Sequence, residues 1–333
     1  CLPREEFDEK RVADSVKELQ CEFTGNSFHL HMYMGVYEIR DRDEAVSIMV
    51  DKANIAADTI KNNYDCCVSY YDEHLLEISI EQRRLLGEFE PALQKDEFVM
   101  YLQPQVNRDG VARGAEALVR WAHPSRGILT PYAFIDILEN AGLIYKLDLY
   151  IWEKAAQKLA EWKEKGYGSY HISVNISTKD FYIIDIYETF TGLINKYGIA
   201  ASNLHLEITE KTLMTDFEKN MNIIHKLQNV GFRMEIDDFG SGYSSLNMLK
   251  DISADVLKID MGFLRKSENE VKGQDILESI ITLAGKIGMD VITEGVETKK
   301  QLDMLTMMGC HEFQGYYFSK PVPVSEFEEK YLV

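Results

Sequence analysis

The feature that most constrains the fold is a regular alternation of short apolar runs and longer amphipathic runs after residue 95. The short runs predict eight β-strands, and the segments between most of them have helical periodicity. Eight strands with intervening helices fit an α/β fold, a closed (β/α)8 barrel of the TIM type. A doubly wound open sheet is the main alternative, but no Gly-rich phosphate turn follows any predicted strand. The predicted strands are residues 98–103, 112–121, 171–176, 204–209, 233–237, 256–259, 291–293 and 311–313, and the predicted helices are 131–141, 148–165, 179–196, 215–229, 244–250, 271–287 and 297–308.

The connection between the first two strands departs from a regular barrel. Only Asn107-Arg108-Asp109-Gly110 separates them, a tight turn with Asp-Gly chemistry. Parallel strands need a crossover of about a dozen residues or more. These two strands are therefore predicted to form an antiparallel first hairpin.

The first 75 residues predict a small α+β fragment that precedes the barrel. Helical spacing covers residues 7–22 and 43–62, and strand patterns cover residues 28–37 and 67–71. A fragment of this size is too small to be a complete domain with a sound core. A stretch rich in Glu, Leu and Arg follows and predicts a linker helix over residues 76–95, so the barrel is assigned to residues 80–333.

Charge and composition exclude several classes of function. The formal net charge is −19, with 55 acidic and 36 basic residues, so broad contact with DNA is not expected, because such binding needs clustered Lys and Arg. No apolar run approaches the roughly 20 residues of a membrane-spanning helix and no signal peptide is visible, so no membrane contact by this chain is expected. The five cysteines form no CxxC pair, which indicates reduced thiols and a cytoplasmic location. Since the pattern opens abruptly at Cys1, we expect the cytoplasmic part of a longer protein, one that could be membrane-bound.

Polar residues recur at the predicted carboxyl ends of the strands, where the chemistry of such barrels lies. They are Asn175, Glu207, Asp237, Asp238, Lys258, Glu294 and Gln314, with Gln103, Glu116 and Arg120 on the first two strands. This oxygen-rich set suits Mg²⁺ or Mn²⁺ better than zinc, because it contains no histidine or cysteine. Each carboxylate alone could instead cap a helix or sit in a solvated loop. Lys258 is harder to explain in that way, because a lysine inside a buried strand needs anionic partners.

Asp237 and Asp238 are adjacent and are followed by a segment of small residues, 240–245. Neighbouring carboxylates repel each other, so keeping both ionised requires a cation beside them. The glycines let the next segment bend or move, which predicts a metal site under a mobile loop. Asp-Phe-Gly also occurs in protein kinases, but a Gly-rich nucleotide loop and a His-Arg-Asp loop are absent from the sequence. Metal ions held by such carboxylates activate water for attack on phosphorus, which favours a phosphodiester substrate.

Residues 80–331 resemble an EAL-type cyclic di-GMP phosphodiesterase domain. The signature that names this family is Glu116-Ala117-Leu118-Val119-Arg120-Trp121. Other matching segments are 101–104, 173–177, 206–210, 237–246, 258–260, 293–297 and 314–316. Thr293 stands where the family usually has alanine, an exchange of one small residue for another. The resemblance implies an active enzyme that hydrolyses cyclic di-GMP to linear pGpG in bacterial second-messenger signalling.

The resemblance also implies a role for each motif residue. One divalent metal would be held by Glu116, Asn175, Glu207 and Asp237. Asp237 would bridge to a second ion held partly by Asp238, so two Mg²⁺ or Mn²⁺ ions are expected per site. The implied catalytic residues are Lys258, Asp238, Glu294 and Glu116, where Lys258 would orient the attacking water and Glu294 would reach the second metal through water or act as base. The implied substrate-binding residues are Gln103, Arg120, Glu297 and Gln314, and Glu210 would anchor the loop after Asp238.

The fragment before the barrel resembles the second half of a GGDEF domain. The resemblance depends on a loose match of residues 53–61 to its final helix and on the strand at Val68. The Gly-Gly-Asp-Glu-Phe loop is absent from the sequence, so a degenerate or truncated GGDEF part is expected and cyclase activity is not.

The family resemblance also bears on partners. In the family, the loop after the aspartate pair couples the metal site to dimerisation, which implies a homodimer through the barrel and regulation by an upstream sensory or GGDEF region. Some members bind the nucleotide without cleaving it. A catalytically silent cyclic di-GMP receptor, regulated through the loop after Asp238, is therefore the alternative function.

Overall fold

The computed structural model describes residues 7, 8, 10, 12, 14, 32–61, 67–239, 252–262 and 270–332 of the chain. Internal contacts divide the chain into two units, Cys1–Glu88 and Phe89–Val333.

In the first unit, two short strands are joined through one helix. β1 (Met34–Val36) pairs with β2 (Val68–Tyr70) in parallel, with Met34 opposite Val68. α1 (Val46–Asp58) lies between them in the chain and supplies the crossover that parallel pairing needs. The helix predicted over residues 7–22 and the first part of the strand predicted over 28–37 fall largely outside the described residues. α2 (Glu73–Gln94) covers most of the span predicted to be a linker helix; it begins in the first unit, and its residues from Phe89 onward belong to the second.

In the second unit, eight strands close into a barrel. The ring consists of β3 (Phe98–Val106), β4 (Ala112–His123), β6 (His171–Ile176), β7 (Leu204–Thr209), β8 (Met234–Asp237), β9 (Val256–Asp260), β10 (Asp290–Glu294) and β11 (Glu312–Phe313). β3 pairs antiparallel with both β4 and β11, and the remaining neighbours pair in parallel. Two short strands, β5 (Gly127–Leu129) and β12 (Val322–Pro323), add to β4 and β3. The predicted TIM-like α/β barrel is confirmed.

Helices connect most of the neighbouring strands, and one more helix follows the last strand. They are α3 (Ile135–Ala141), α4 (Ile144–Glu164), α5 (Asp180–Ile183), α6 (Ile186–Tyr197), α7 (Glu210–Thr215), α8 (Phe217–Val230), α9 (Glu270–Lys286), α10 (Lys299–Met307) and α11 (Val324–Tyr331). Short 3-10 turns occur at Pro131–Ala133 and Ala201–Asn203. The helix predicted over residues 244–250 lies outside the described residues.

Several predicted boundaries were wrong, for local reasons. The helix predicted over 179–196 is interrupted because the Asp185 side chain accepts a hydrogen bond from the Glu188 amide and caps α6. The helix predicted over 215–229 is preceded by the separate helix α7, and the backbone of Asp216 between the two (φ −149°, ψ 75°) is not helical. α4 begins at Ile144, before the predicted 148, and Gly142 ends α3 in the left-handed conformation (φ 69°).

The barrel wall packs around buried aromatic rings. Phe98 lies 4.8 Å from Trp121 and 5.7 Å from Phe134 between ring centroids, and all three are at most 2% exposed. Since side chains alternate across each strand, every second residue of the parallel strands points into the barrel. Within the described ranges, no helix has the length and apolar character to cross a membrane.

Candidate active site

Lys258 is the centre of a cluster of charged side chains inside the carboxyl end of the barrel. It lies in the middle of β9, and its side chain is fully buried. Its Nζ atom lies 2.6 Å from Oε1 of Glu294 and 3.3 Å from Oε2 of Glu116. Asp237 Oδ1 is 3.8 Å away, and Glu207 also contacts the ammonium group directly. Four carboxylates from four strands therefore surround one lysine.

The parallel strand order explains this convergence. Glu207 lies on β7, Asp237 ends β8 and Glu294 ends β10, with Lys258 on the strand between the last two. Because the carboxyl ends of parallel strands meet at one rim, residues far apart in sequence share one site. Glu116 joins them from β4, which runs parallel to β6 although its pairing with β3 is antiparallel.

Amide side chains hold Glu116 in place. Gln314 Nε2 donates to Glu116 Oε2 at 2.5 Å and to Gln103 Oε1 at 3.2 Å. Asn175 Nδ2 donates to the other oxygen, Oε1, at 3.1 Å. Gln103 Nε2 continues the chain to the carbonyl of Ser319 at 3.3 Å. Gln103 and Gln314 are at most 8% exposed, so in this structure their amide groups form hydrogen bonds within the protein and few with solvent.

The charges of the cluster are not balanced. Burial alone would raise the pKa of Glu116, but Lys258, Gln314 and Asn175 outweigh burial, and the pKa is lowered. Burial raises the pKa of Glu294 to about 7 although Lys258 acts against the shift. The pKa of Asp237 is raised well above its ordinary value by burial, and next by the charges of Glu294 and Glu116. One ammonium group does not neutralise four carboxylates, so the site has room for further positive charge.

The carboxylates fit a divalent cation. One oxygen atom each from Glu116, Glu207 and Glu294 lie within 4.8 Å of one another. Oε2 of Glu207 is fully buried and has no hydrogen-bond partner among the described residues. A buried carboxylate oxygen without a donor is costly, and a bound cation would remove that cost. The donor set is oxygen-rich, as Mg²⁺ and Mn²⁺ prefer.

Asp238 has an unusual backbone. Its φ angle is 57°, in the left-handed region that non-glycine residues seldom adopt, and its amide donates to Asp237 Oδ1 at 2.8 Å. Its side chain is exposed at the rim. Residues 240–251, which include the predicted mobile loop, lie outside the described residues, so the predicted loop anchoring by Glu210 does too. Glu210 itself begins α7 and is 9% exposed.

Arg120 and Glu297 occupy more open positions. The Arg120 guanidinium carbon lies 5.4 Å from the ring centroid of Tyr101, a cation–π contact, and its Nη1 donates to the Val119 carbonyl at 2.8 Å. Burial lowers the pKa of Arg120, and Tyr101 and Tyr316 act against this shift. Glu297 is exposed and precedes Thr298, the residue that caps α10.

The structure thus brings most predicted site residues together and adds two that sequence reasoning missed. The residues joined by direct contacts are Gln103, Glu116, Asn175, Glu207, Asp237, Lys258, Glu294 and Gln314. Tyr101 and Tyr316, beside Arg120, were not selected as site residues. Both tyrosines lie in segments that carry the family resemblance, 101–104 and 314–316, and each lies within two residues of a predicted site glutamine.

Comparison with known proteins identifies similar chains. A family model described as "EAL domain" matches residues 87–321. The chain is 32% identical over 272 residues to "Bifunctional diguanylate cyclase/cyclic di-GMP phosphodiesterase MucR" of Pseudomonas aeruginosa, which covers 81% of this chain and 39% of that protein. It is 33% identical over 240 residues to "Cyclic di-GMP phosphodiesterase PdeR" of Escherichia coli K12, which covers 72% of this chain and 36% of that protein. The chain spans less than half the length of these curated relatives.

A solved structure has the same fold. The structure titled "PaMucR Phosphodiesterase, c-di-GMP complex" superposes with a TM-score of 0.70 at 33% identity. The match covers 73% of this chain and 99% of that chain.

Proposed function

Since this chain belongs to the EAL domain family, we propose that it is a metal-dependent phosphodiesterase that hydrolyses cyclic di-GMP to linear pGpG. The observation that carries the proposal is the buried Lys258 surrounded by Glu116, Glu207, Asp237 and Glu294 at the carboxyl end of the barrel. Two relatives with this similarity are named cyclic di-GMP phosphodiesterases, and the superposed structure is titled as a c-di-GMP complex.

We propose that Glu116, Asn175, Glu207 and Asp237 hold one divalent ion, and that Asp237 with Asp238 holds a second. The orphaned Glu207 oxygen and the close approach of the carboxylates support this assignment. When bound, Mg²⁺ or Mn²⁺ would lower the pKa of a water molecule and stabilise charge on the phosphate. The Asp238 side chain is exposed next to Asp237, on a backbone with a φ angle of 57°.

We propose that Lys258 orients the attacking water and that Glu294 accepts a proton from it. Water attacks phosphorus, and the bond from phosphorus to the bridging 3′ oxygen breaks. The 3′ oxygen leaves and takes up a proton to become a 3′ hydroxyl, while the phosphate stays on the 5′ side of linear pGpG. Because burial brings the pKa of Glu294 to about 7, this carboxyl can accept a proton from water near neutral pH. The Lys258 ammonium, 2.6 Å from that carboxyl, would orient the water and stabilise its developing charge.

Substrate contacts are proposed for the residues around the rim. Arg120 would meet a phosphate, since a planar guanidinium suits phosphate oxygens and Tyr101 fixes its position. Glu297, Gln103 and Gln314 would line the nucleotide pocket. For the two glutamines, the contacts with Glu116 add a second role, which is to orient the carboxylate that binds metal.

Turnover of the purified chain tests the proposal. The chain is incubated with cyclic di-GMP and Mg²⁺ or Mn²⁺, and pGpG is followed by chromatography. We expect pGpG to form only in the presence of metal. Binding of cyclic di-GMP without turnover under either metal would identify the chain as a silent receptor regulated through the loop after Asp238. Neither binding nor cleavage would contradict the substrate assignment altogether.

We further propose the organisation of the rest of the chain. The parallel β1–α1–β2 unit supports a truncated GGDEF part over residues 1–75, with residues 76–95 as a linker helix and the barrel over 80–333. A homodimer through the barrel, controlled by an upstream sensory or GGDEF region, would explain regulation through the loop after Asp238. Cys310 is buried and forms no disulfide, which supports a cytoplasmic location.

A further inference from the structure

A second polar cluster lies inside the barrel, toward the amino ends of the strands. His171 is the first residue of β6, His205 the second residue of β7 and Glu235 the second residue of β8. His205 and Glu235 each lie two residues before a member of the charged cluster around Lys258, so they point into the barrel as well. Two residues along a strand span about 7 Å, so this cluster is one layer deeper in the barrel.

The three side chains contact one another. The rings of His171 and His205 stack with centroids 3.8 Å apart and planes 5° from parallel. His205 Nδ1 lies 2.6 Å from Glu235 Oε1, which also accepts from Ser173 Oγ at 3.1 Å. His171 Nε2 lies 2.7 Å from Gln105 Oε1. Hydrogen bonds to Gln105 and Ser173 therefore connect the cluster to neighbouring side chains.

One carboxylate oxygen of the cluster has no hydrogen-bond partner among the residues that the structure describes. This atom is Oε2 of Glu235, a residue that is 0% exposed. Glu235, His171 and His205 are among the residues that line a cavity of about 510 Å³. An unsatisfied carboxylate oxygen beside an open cavity indicates a missing positive or hydrogen-donating ligand.

The backbone also makes room for the cluster. A Cβ atom at Gly114, opposite His171 in the strand register, would lie 2.3 Å from Nε2 of that imidazole. Only glycine at this position leaves space for the ring. The barrel wall is thus shaped around His171.

We propose that His171, His205 and Glu235 form a binding site for a transition-metal ion such as Zn²⁺, separate from the carboxylate site around Lys258. Two imidazoles and one carboxylate are a ligand set that zinc takes with a fourth position open to water. One ligand atom from each residue already lies within 4.8 Å of the others.

Binding requires a local rearrangement. An ion coordinates an imidazole nitrogen in the plane of the ring, so two parallel stacked rings do not share one ion. One ring must turn out of the stack, and the adjoining cavity gives it the space to do so. The site is independent of the proposed phosphodiesterase reaction.

Zinc stoichiometry tests this site directly. Equilibrium dialysis against Zn²⁺ in excess Mg²⁺ measures the bound zinc of the whole chain, of His205→Ala and of Glu235→Gln. The matched control is His225→Ala, which removes an exposed histidine on α8. We expect both cluster variants to bind one equivalent of Zn²⁺ less than wild type, and the control to bind as wild type does. Equal stoichiometry in all four proteins would overturn the proposal.

Thermal melting excludes misfolding as the cause of lost zinc. Zn²⁺ should raise the Tm of wild type and of the control, because an ion that binds only the folded state stabilises it. The cluster variants should melt cooperatively and show a smaller shift. If His205→Ala does not fold, the zinc binding of His171→Gln is measured instead. This variant removes the imidazole but keeps an amide that can hydrogen-bond to Gln105. His171→Gln must also lose one equivalent, and full zinc binding by this variant contradicts the site.

Discussion

At the scale of single residues, the electrostatics of the barrel interior depend on Lys258. Its ammonium is fully buried, and burial alone would lower its pKa, but Glu116 and Glu294 outweigh burial and raise it. The lysine therefore stays charged and holds together carboxylates that would otherwise repel one another. A bound divalent ion would share this task.

Replacing Lys258 by methionine should reduce pGpG formation by about 10²–10⁴-fold, the range typical for loss of a group that positions or transfers a proton. It should also lower the Tm in the presence of a chelator, because four carboxylates lose their cation. Added Mn²⁺ should then raise the Tm of the variant more than that of wild type. Lys226→Met, at an exposed position of α8, is the matched control and should change neither quantity. A Lys258→Met enzyme with wild-type turnover would remove the lysine from the mechanism.

A second residue-scale prediction concerns pH. Burial, and next the neighbouring Asp180 carboxyl, raise the pKa of Asp148 well above its ordinary value. The folded state therefore keeps the Asp148 proton to a higher pH than the unfolded chain does, so this carboxyl costs stability as the pH rises above about 4. Asp148→Asn should raise the Tm at neutral pH, and the gain should vanish below about pH 4, where both states are protonated.

Melting curves across pH measure this effect. Asp275→Asn, on an exposed position of α9, is the control and should shift the Tm little at any pH. A Tm for Asp148→Asn below that of wild type at neutral pH would show that the Asp148 carboxylate stabilises the fold.

Much of the site could be predicted residue by residue, because chemistry-bearing side chains recur at strand ends. The exception is the partnership of Gln314 and Gln103 with Glu116. A glutamine beside a nucleotide pocket and a glutamine that orients a carboxylate have the same sequence signal. The two roles are distinguished only by the pairing of β3 with β4 and β11, which brings Gln103, Gln314 and Glu116 together.

At the scale of elements, the hairpin of β3 and β4 shows why register is hard to read from sequence. Val106 pairs with Ala112, whereas Gln105 pairs with Gly114, so Arg113 is an extra residue in β4. Counting from the turn would have placed Gln103 opposite Ala115, but the bulge shifts it to Glu116. Interrupted helices have similarly local causes, such as the cap at Asp185. Periodicity predicts that an element exists, and a single polar contact decides where it ends.

At the scale of elements, a further prediction concerns the close packing of Gly315 against the backbone of Val296, next to the site residue Gln314. A Cβ atom there would lie 2.2 Å from the carbonyl oxygen and 2.4 Å from the nitrogen of Val296, both backbone atoms. Gly315→Ala should therefore displace the segment that carries Gln314 and lower both the Tm and pGpG formation. The control is Gly192→Ala in α6, where a Cβ meets nothing within 4 Å. This exposed helical glycine should gain about 0.5–1 kcal/mol of stability as alanine, with turnover unchanged.

Urea unfolding and the pGpG assay measure both variants. Should Gly315→Ala unfold at the same urea concentration as wild type and keep full activity, the close approach of Gly315 to Val296 is not a constraint on the site.

At the scale of the whole molecule, one barrel holds polar groups at two depths. The carboxylate cluster around Lys258 lies at the carboxyl ends of the strands, and the cluster of His171, His205 and Glu235 lies toward their amino ends. The barrel itself followed from the alternation of strands and helices, and the similarity of residues 87–321 to the EAL domain agrees with it. The deeper cluster was not predicted, because its residues lie inside strands, where a polar side chain is not distinguished from an ordinary buried one until the neighbouring strands are placed.

The most direct test of the central claim is the rate of pGpG formation from cyclic di-GMP. The rate is measured after a chelator has removed metal and again after Mn²⁺ has been added, for wild type and for Glu116→Gln. The control is Glu218→Gln, at an exposed position of α8. We predict that wild type and the control lose activity with the chelator and regain it with Mn²⁺. Glu116→Gln should stay at least about 10²-fold slower at every Mn²⁺ concentration, because several kcal/mol of charge stabilisation is lost with the ion. Turnover by the chelated enzyme, or Mn²⁺-dependent turnover of Glu116→Gln at the wild-type rate, would contradict a metal-dependent reaction at the carboxylate site.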